Sequence, residues 1–120
     1  MKSYTELEVW QKSRKLAGLI YRLTATFPKE EIFALTSQLR RSAVSIPSNI
    51  AEGCGRSSAK DSIQFFYIAR GSLYELETQL FISFDLNYVD ENTLNESLAL
   101  VTECKKLLHG FIKYFISLKV

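Results

Sequence analysis

The stretch IFALTSQLRRSAVSIPSNI, residues 32–50, places Ile32, Leu35, Leu39, Ala43, Ile46 and Ile50 at steps of three or four. Apolar residues at that spacing share one side of an α-helix, whereas a half-buried strand would alternate every second residue. Pro47 lies inside this seam, where it removes one backbone hydrogen bond and crowds the carbonyl of Ala43, at a cost of about 3 kcal/mol. The seam keeps phase on both sides of Pro47, which favours one kinked helix over two short ones. Ser45 and Ser48 stand close enough to bond the carbonyl left without a donor. Glu30 and Glu31 suit the helix start, and the helix stops at Gly53 or at Cys54-Gly55.

Three further helices flank this one. Trp10, Ala17, Ile20 and Phe27 recur at helical steps from Glu6 to about Thr26, and Pro28 ends that first helix. Ser58 with Asp61 forms a capping-box-like start to a third helix that runs to about Asp85. Asn87 tolerates a left-handed helix end, and Asp90 caps a fourth helix whose seam is Leu94, Leu98, Val101, Cys104, Leu108, Phe111, Phe115 and Leu118. With only short turns between them, the four helices are expected to form an antiparallel up-down-up-down bundle, all-α and one domain over residues 1–120. Two prolines and five glycines leave little material for hairpins.

The third helix is apolar in nearly every direction: Ile63, Phe65, Phe66, Tyr67, Ile68, Leu73, Tyr74, Leu76, Leu80, Phe81, Ile82 and Phe84 surround its axis. A helix packed on one side keeps a single apolar stripe, so this one is expected to bury a second side against another subunit. Gly71 in its middle fits a place where another backbone comes close.

Several chemistries are unsupported. His109 has no partner at metal-ligand spacing, and the paired Glu-x-x-His motif of di-iron bundles is missing, so neither metal nor cofactor is expected. Gly53-Cys54-Gly55 is too short for a phosphate loop, and Cys54 has no His to activate it. Cys104 falls on the core seam and Cys54 at a bundle end, which leaves two free thiols. The chain reads as a non-enzyme. Without a signal-like N-terminus or a long apolar run, it is expected in the cytoplasm and not in a membrane.

The net charge of +2 hides a marked asymmetry. In an antiparallel bundle, residues 1–15, 43–70 and 105–120 share one end, with eleven Lys and Arg, Lys2 and Lys119 among them, against four Asp and Glu. The remainder carries four basic and nine acidic residues. Helix four contributes to this order because acid at its start and base at its end complement its macrodipole. Arg56 and Lys60 instead sit at a helix N-terminus, where positive charge is unfavourable, which suggests a different purpose. Lys12, Arg14, Lys15, Arg56, Lys60, Lys105, Lys106 and Lys113 are the candidate phosphate contacts.

Residues Leu35–Gly53 closely resemble the signature of the bacterial four-helix-bundle proteins named for 23S ribosomal RNA intervening sequences. The likeness continues through Arg56-Ser57, Lys60-Asp61, Phe65-Phe66, Ile68–Leu73 and Glu75–Thr78, and through Leu7–Lys12 in the first helix; Asn87 departs from the family's usual Gly. The resemblance implies a homopentamer. It is also similar to the accessory protein of diversity-generating retroelements, a basic pentamer, which implies RNA or DNA and a reverse transcriptase as partners. Within the signature, Gln38, Arg40, Arg41, Ser45, Pro47, Asn49, Glu52 and Gly53, with Arg70, Gly71 and Glu77 on the third helix, are expected to hold the bundle or its interface. Arg40 and Arg41 diverge by about a quarter-turn, so one can face a neighbour while the other faces solvent. Glu52 opposes its helix dipole and needs a cation, Arg56 or Arg14. Two uses remain open: nucleic-acid binding by the basic end, or docking of a different polypeptide on the outer face of the third helix.

Overall fold

The computed structural model describes residues 3–118, so Lys2 and Lys119 lie outside the described residues. Four α-helices make up the fold: α1 (Glu8–Thr24), α2 (Leu35–Cys54), α3 (Ala59–Asp85) and α4 (Glu91–Ser117). Each helix packs on two neighbours, in the ring α1, α2, α3, α4 and back to α1. Cross-helix contacts run in opposite order along the two partners. Ser45 meets Ser72 while Gly53 meets Phe66; Glu77 meets Lys105 while Phe66 meets Phe111. Neighbouring helices in those pairs therefore run antiparallel.

The helix ends follow local chemistry. The Ser58 hydroxyl accepts the Asp61 amide at 3.2 Å, and the Asp90 carboxylate accepts the Thr93 amide at 2.7 Å. Those bonds from Thr93 hold the Asp90 carboxyl below its usual pKa. Asn87 takes the left-handed conformation, φ 63°, between α3 and α4. The start of α2 differs from expectation. Glu30 and Glu31 belong to a separate short turn, Lys29–Glu31, and α2 begins four residues later at Leu35, whose amide donates to the Glu31 carboxylate at 3.3 Å. The Tyr88 hydroxyl donates to the other oxygen of Glu31 at 2.8 Å, tying this turn to the one between α3 and α4.

Pro47 is accommodated inside a continuous α2. Ser45 does not bond the carbonyl freed by Pro47. Its hydroxyl accepts instead from the Asn49 amide at 2.9 Å and lies 2.9 Å from the Ser72 hydroxyl of α3, so it serves the α2–α3 contact.

The core contains Leu16, Ile20, Leu39, Ile46, Ile50, Phe66, Leu73, Leu76, Leu80, Val101 and Leu108, with Cys104 fully buried among them. Hydroxyl residues share these seams. Ser13, Thr24, Ser62, Ser83 and Ser97 are buried on the inward sides of α1, α3 and α4, each with its hydroxyl donating to a carbonyl one turn back. The seam of α1 is consequently Val9, Ser13, Leu16, Ile20 and Thr24, and the expected Trp10 and Ala17 are only half-buried. On α4 the inward residues likewise include Ser97 and Ile112, while Leu118 is exposed.

Within the chain, the tightest approach at a glycine is at Gly53, beside the end of α2. A Cβ on Gly53 would lie within the van der Waals envelope of the Phe66 ring and 2.9 Å from the Ser62 carbonyl, whereas one on Gly71 meets nothing within 4 Å. The close approach inside the chain is thus at Gly53, and Gly71 opens on the surface. Gly53→Ala is expected to lower stability by about 1–3 kcal/mol through overpacking, and Gly71→Ala to raise it by about 0.5–1 kcal/mol through helix propensity. Urea unfolding midpoints of the two variants, moving in opposite directions, check this.

Candidate nucleic-acid interface

The antiparallel packing divides the eight candidate cations into two groups. Three are paired. Lys12 on α1 reaches Glu103 on α4 at 3.1 Å, Lys105 on α4 contacts both oxygens of Glu77 on α3 at 2.8 Å, and Arg56 reaches Glu52 at 3.2 Å. The Glu103 hydrogen bond raises the Lys12 pKa. Two of these pairs join the basic end to the acidic one, because Lys12 and Lys105 stand at mid-bundle opposite residues that a count by sequence assigns to the other end. Partly exposed pairs of this kind are screened by water and add little to stability. Arg56, and not Arg14, is therefore the partner of Glu52; Arg14 lies over the Trp10 ring at 5.4 Å, and Arg56 also covers Phe65 at 4.4 Å.

The other five, Arg14, Lys15, Lys60, Lys106 and Lys113, have no carboxylate within ion-pair distance among the described residues. They do not form one patch. Lys15 borders a groove between α1 and α4 that also holds Glu96 and Glu103, and Lys60 is exposed in the first turn of α3. Lys106 belongs to a different groove, about 320 Å³, between α3 and α4, bordered by Arg70, Tyr74, Lys105, Lys106 and His109.

This groove has the strongest chemistry for phosphate on the bundle's basic side. The Arg70 guanidinium lies over Tyr67 at 4.7 Å and the Lys105 ammonium over Tyr74 at 4.5 Å, so both cations are anchored on aromatic faces. Tyr74 is 55% exposed, leaving ring surface on which a base can stack. Arg70 and His109 were not among the sequence-derived phosphate contacts. Arg70 lies one turn before Tyr74 and His109 one turn after Lys105, but only the packing of α3 on α4 brings the two pairs into one groove.

The chain's described residues 3–118 include all of residues 5–110, which match the family model described as 23S rRNA-intervening sequence protein. The chain belongs to this family. A solved structure titled as a protein of unknown function from the S23 ribosomal protein family of Bacteroides thetaiotaomicron is similar to it, with a TM-score of 0.78 and 29% identity over 88% of this chain and 98% of that one. No curated protein matches. The family model thus covers the bundle and the groove between α3 and α4.

The remaining signature residues differ in their surroundings. Asn49 donates to the Ser45 carbonyl at 2.8 Å, Pro47 is half-buried within α2, and Gln38 and Arg41 are exposed. Among the described residues no three His, Cys, Asp or Glu side chains could hold a metal ion, and no helix is long and apolar enough to cross a membrane. Burial pushes the Cys104 thiol up to about 12 and raises Cys54 as well. Both thiols are accordingly neutral and poorly nucleophilic at pH 7. A thiol held neutral by burial favours the folded chain fully below its unfolded pKa, and that contribution fades as pH rises from 9.0 toward about 12. In the native protein a thiol reagent is expected to modify half-buried Cys54 first and Cys104 only after unfolding, as mass spectrometry of timed samples would read out.

Proposed function

We propose that the protein is a non-enzymatic homo-oligomer, a pentamer as the family resemblance implies, that binds RNA or DNA on its basic surface. The observation that carries the nucleic-acid reading is the groove between α3 and α4. There Arg70, Lys105, Lys106 and the exposed Tyr74 combine backbone-phosphate contacts with a stacking face. Glu77, the carboxylate that pairs Lys105, leaves Arg70 and Lys106 without an ion partner among the described residues.

Support for self-assembly comes from the outer face of α3. Tyr67, Ile68, Phe81 and Ile82 are exposed there, on either side of the open Gly71. A helical stripe of that kind, with a small residue at its centre, is suited to packing against another helix. The same face favours a second reading, in which a different polypeptide docks there and the chain acts as an interaction scaffold. Light scattering separates the two, since a monomer at micromolar concentration would oppose self-assembly.

Gel retardation of labelled RNA and DNA tests the main reading. Binding is expected at low salt and lost steeply as salt rises, and each of Arg70→Gln and Lys106→Gln is expected to reduce the logarithmic salt slope by about 1. Absence of retardation at low salt would end this proposal.

A further inference from the structure

A second groove lies across the bundle, between α1 and the first half of α2, and its chemistry is unlike that of the basic end. It has two adjoining lobes of about 490 and 130 Å³, which share Ile32, Thr36 and Arg40. The half of the chain that contributes this groove carries nine carboxylates and four cations, Arg22, Lys29, Arg40 and Arg41. Three of those four cations, Lys29, Arg40 and Arg41, border the groove, and no carboxylate does.

Three polar features of the groove lack partners. The Thr36 hydroxyl belongs to a residue only 4% exposed, and it makes no hydrogen bond. An orphaned buried hydroxyl is costly, and Thr36 borders both lobes. The amides of Thr36 and Ser37, in the first turn of the 20-residue helix α2, have no acceptor among the described residues; of the nearby amides, Leu35 donates to Glu31 and Gln38 to the Ala34 carbonyl. Arg40 is half-buried without a carboxylate. Its Nε donates to the Thr24 hydroxyl at 2.9 Å, and its guanidinium carbon lies 4.7 Å from the centre of the Tyr21 ring, which fixes the group and leaves its two terminal nitrogens unbonded. Glu31, the nearest carboxylate in sequence, has both oxygens engaged by Leu35 and Tyr88.

The geometry points to a phosphomonoester site in this groove, with the Thr36 and Ser37 amides and the guanidinium groups of Arg40 and Arg41 as its donors. A helix N-terminus and an anchored arginine fork are both matched to phosphate oxygens. Three cations with no carboxylate among them suit a dianion better than the single charge of an internal phosphodiester. Tyr21, Ile32 and Val44 supply an apolar rim for the organic group that the phosphate carries. The site lies away from the α3–α4 groove and does not depend on nucleic-acid binding there.

Amide chemical shifts and calorimetry on the full chain test this, with inorganic phosphate, a 5′-nucleoside monophosphate and a dinucleotide without terminal phosphate as probes. The first two are expected to shift the Thr36 and Ser37 amides and the dinucleotide is not. Arg41→Ala, on an exposed residue with no structural bond, is expected to weaken monophosphate binding by about tenfold. Unchanged Thr36 and Ser37 shifts at tens of millimolar phosphate would overturn the inference. So would parental monophosphate affinity in Arg41→Ala, or a dinucleotide that binds as tightly as the monophosphate.

Discussion

The bundle depends on the contact between Gly53 and the Phe66 ring. Where α2 ends, its backbone lies against α3 so closely that no side chain fits between them, and Phe66 fills the space. Phe66 in turn meets Phe111 and Phe115 of α4, with all three ring centres 4.9 Å apart. One glycine thereby sets the position of three helices at the end of the molecule where the α2–α3 turn lies. Aromatic contacts of this type add about 0.5–1.5 kcal/mol each beyond the area they bury. Farther along the same interface, Ser45 and Ser72 meet through their hydroxyls, so small residues keep α2 and α3 close over several turns.

That close packing also decides which charges stay available. Antiparallel neighbours bring Lys12 to Glu103 and Lys105 to Glu77, which neutralises the middle of the molecule along two helix pairs. Arg70 and Lys106 escape because their helix positions face the opening between α3 and α4. The division of charge between ends, plain in composition, therefore becomes a set of separate grooves with different neighbours. Lys15 faces Glu96 and Glu103, whereas Lys106 faces Arg70 and His109.

Local features were legible in the sequence because the residues that make them are adjacent. Ser58, Asp90 and Asn87 each act on a backbone within a few positions, and a reader of the chain sees both partners at once. The start of α2 is less plain in the sequence: Glu31 serves that helix as a carboxylate one turn ahead of it and not as its first residue. The inward seams were only partly legible. Ser13, Ser97 and Thr24 count as polar by composition, yet each satisfies its hydroxyl on its own helix and so can be buried where a larger apolar residue would hold the helices apart. The grooves were the least legible, since Arg70 and His109 are brought together by the register of α3 on α4, which no spacing within one helix contains.

The order of helices around the bundle also relates its surfaces to one another. With contacts running α1, α2, α3, α4 and back to α1, the groove between α1 and α2 lies opposite the groove between α3 and α4. The apolar face of α3 adjoins the α3–α4 groove, since Tyr74 of that groove lies between Tyr67 and Phe81. Covering that face with another chain would bring a neighbour to the rim of Arg70 and Lys106 and leave Arg40 and Arg41 on the far side. Assembly would thus act on the two grooves differently. It would gather the cations of the α3–α4 groove near subunit boundaries, where their fields add, while each α1–α2 groove stays a separate site with its own donors.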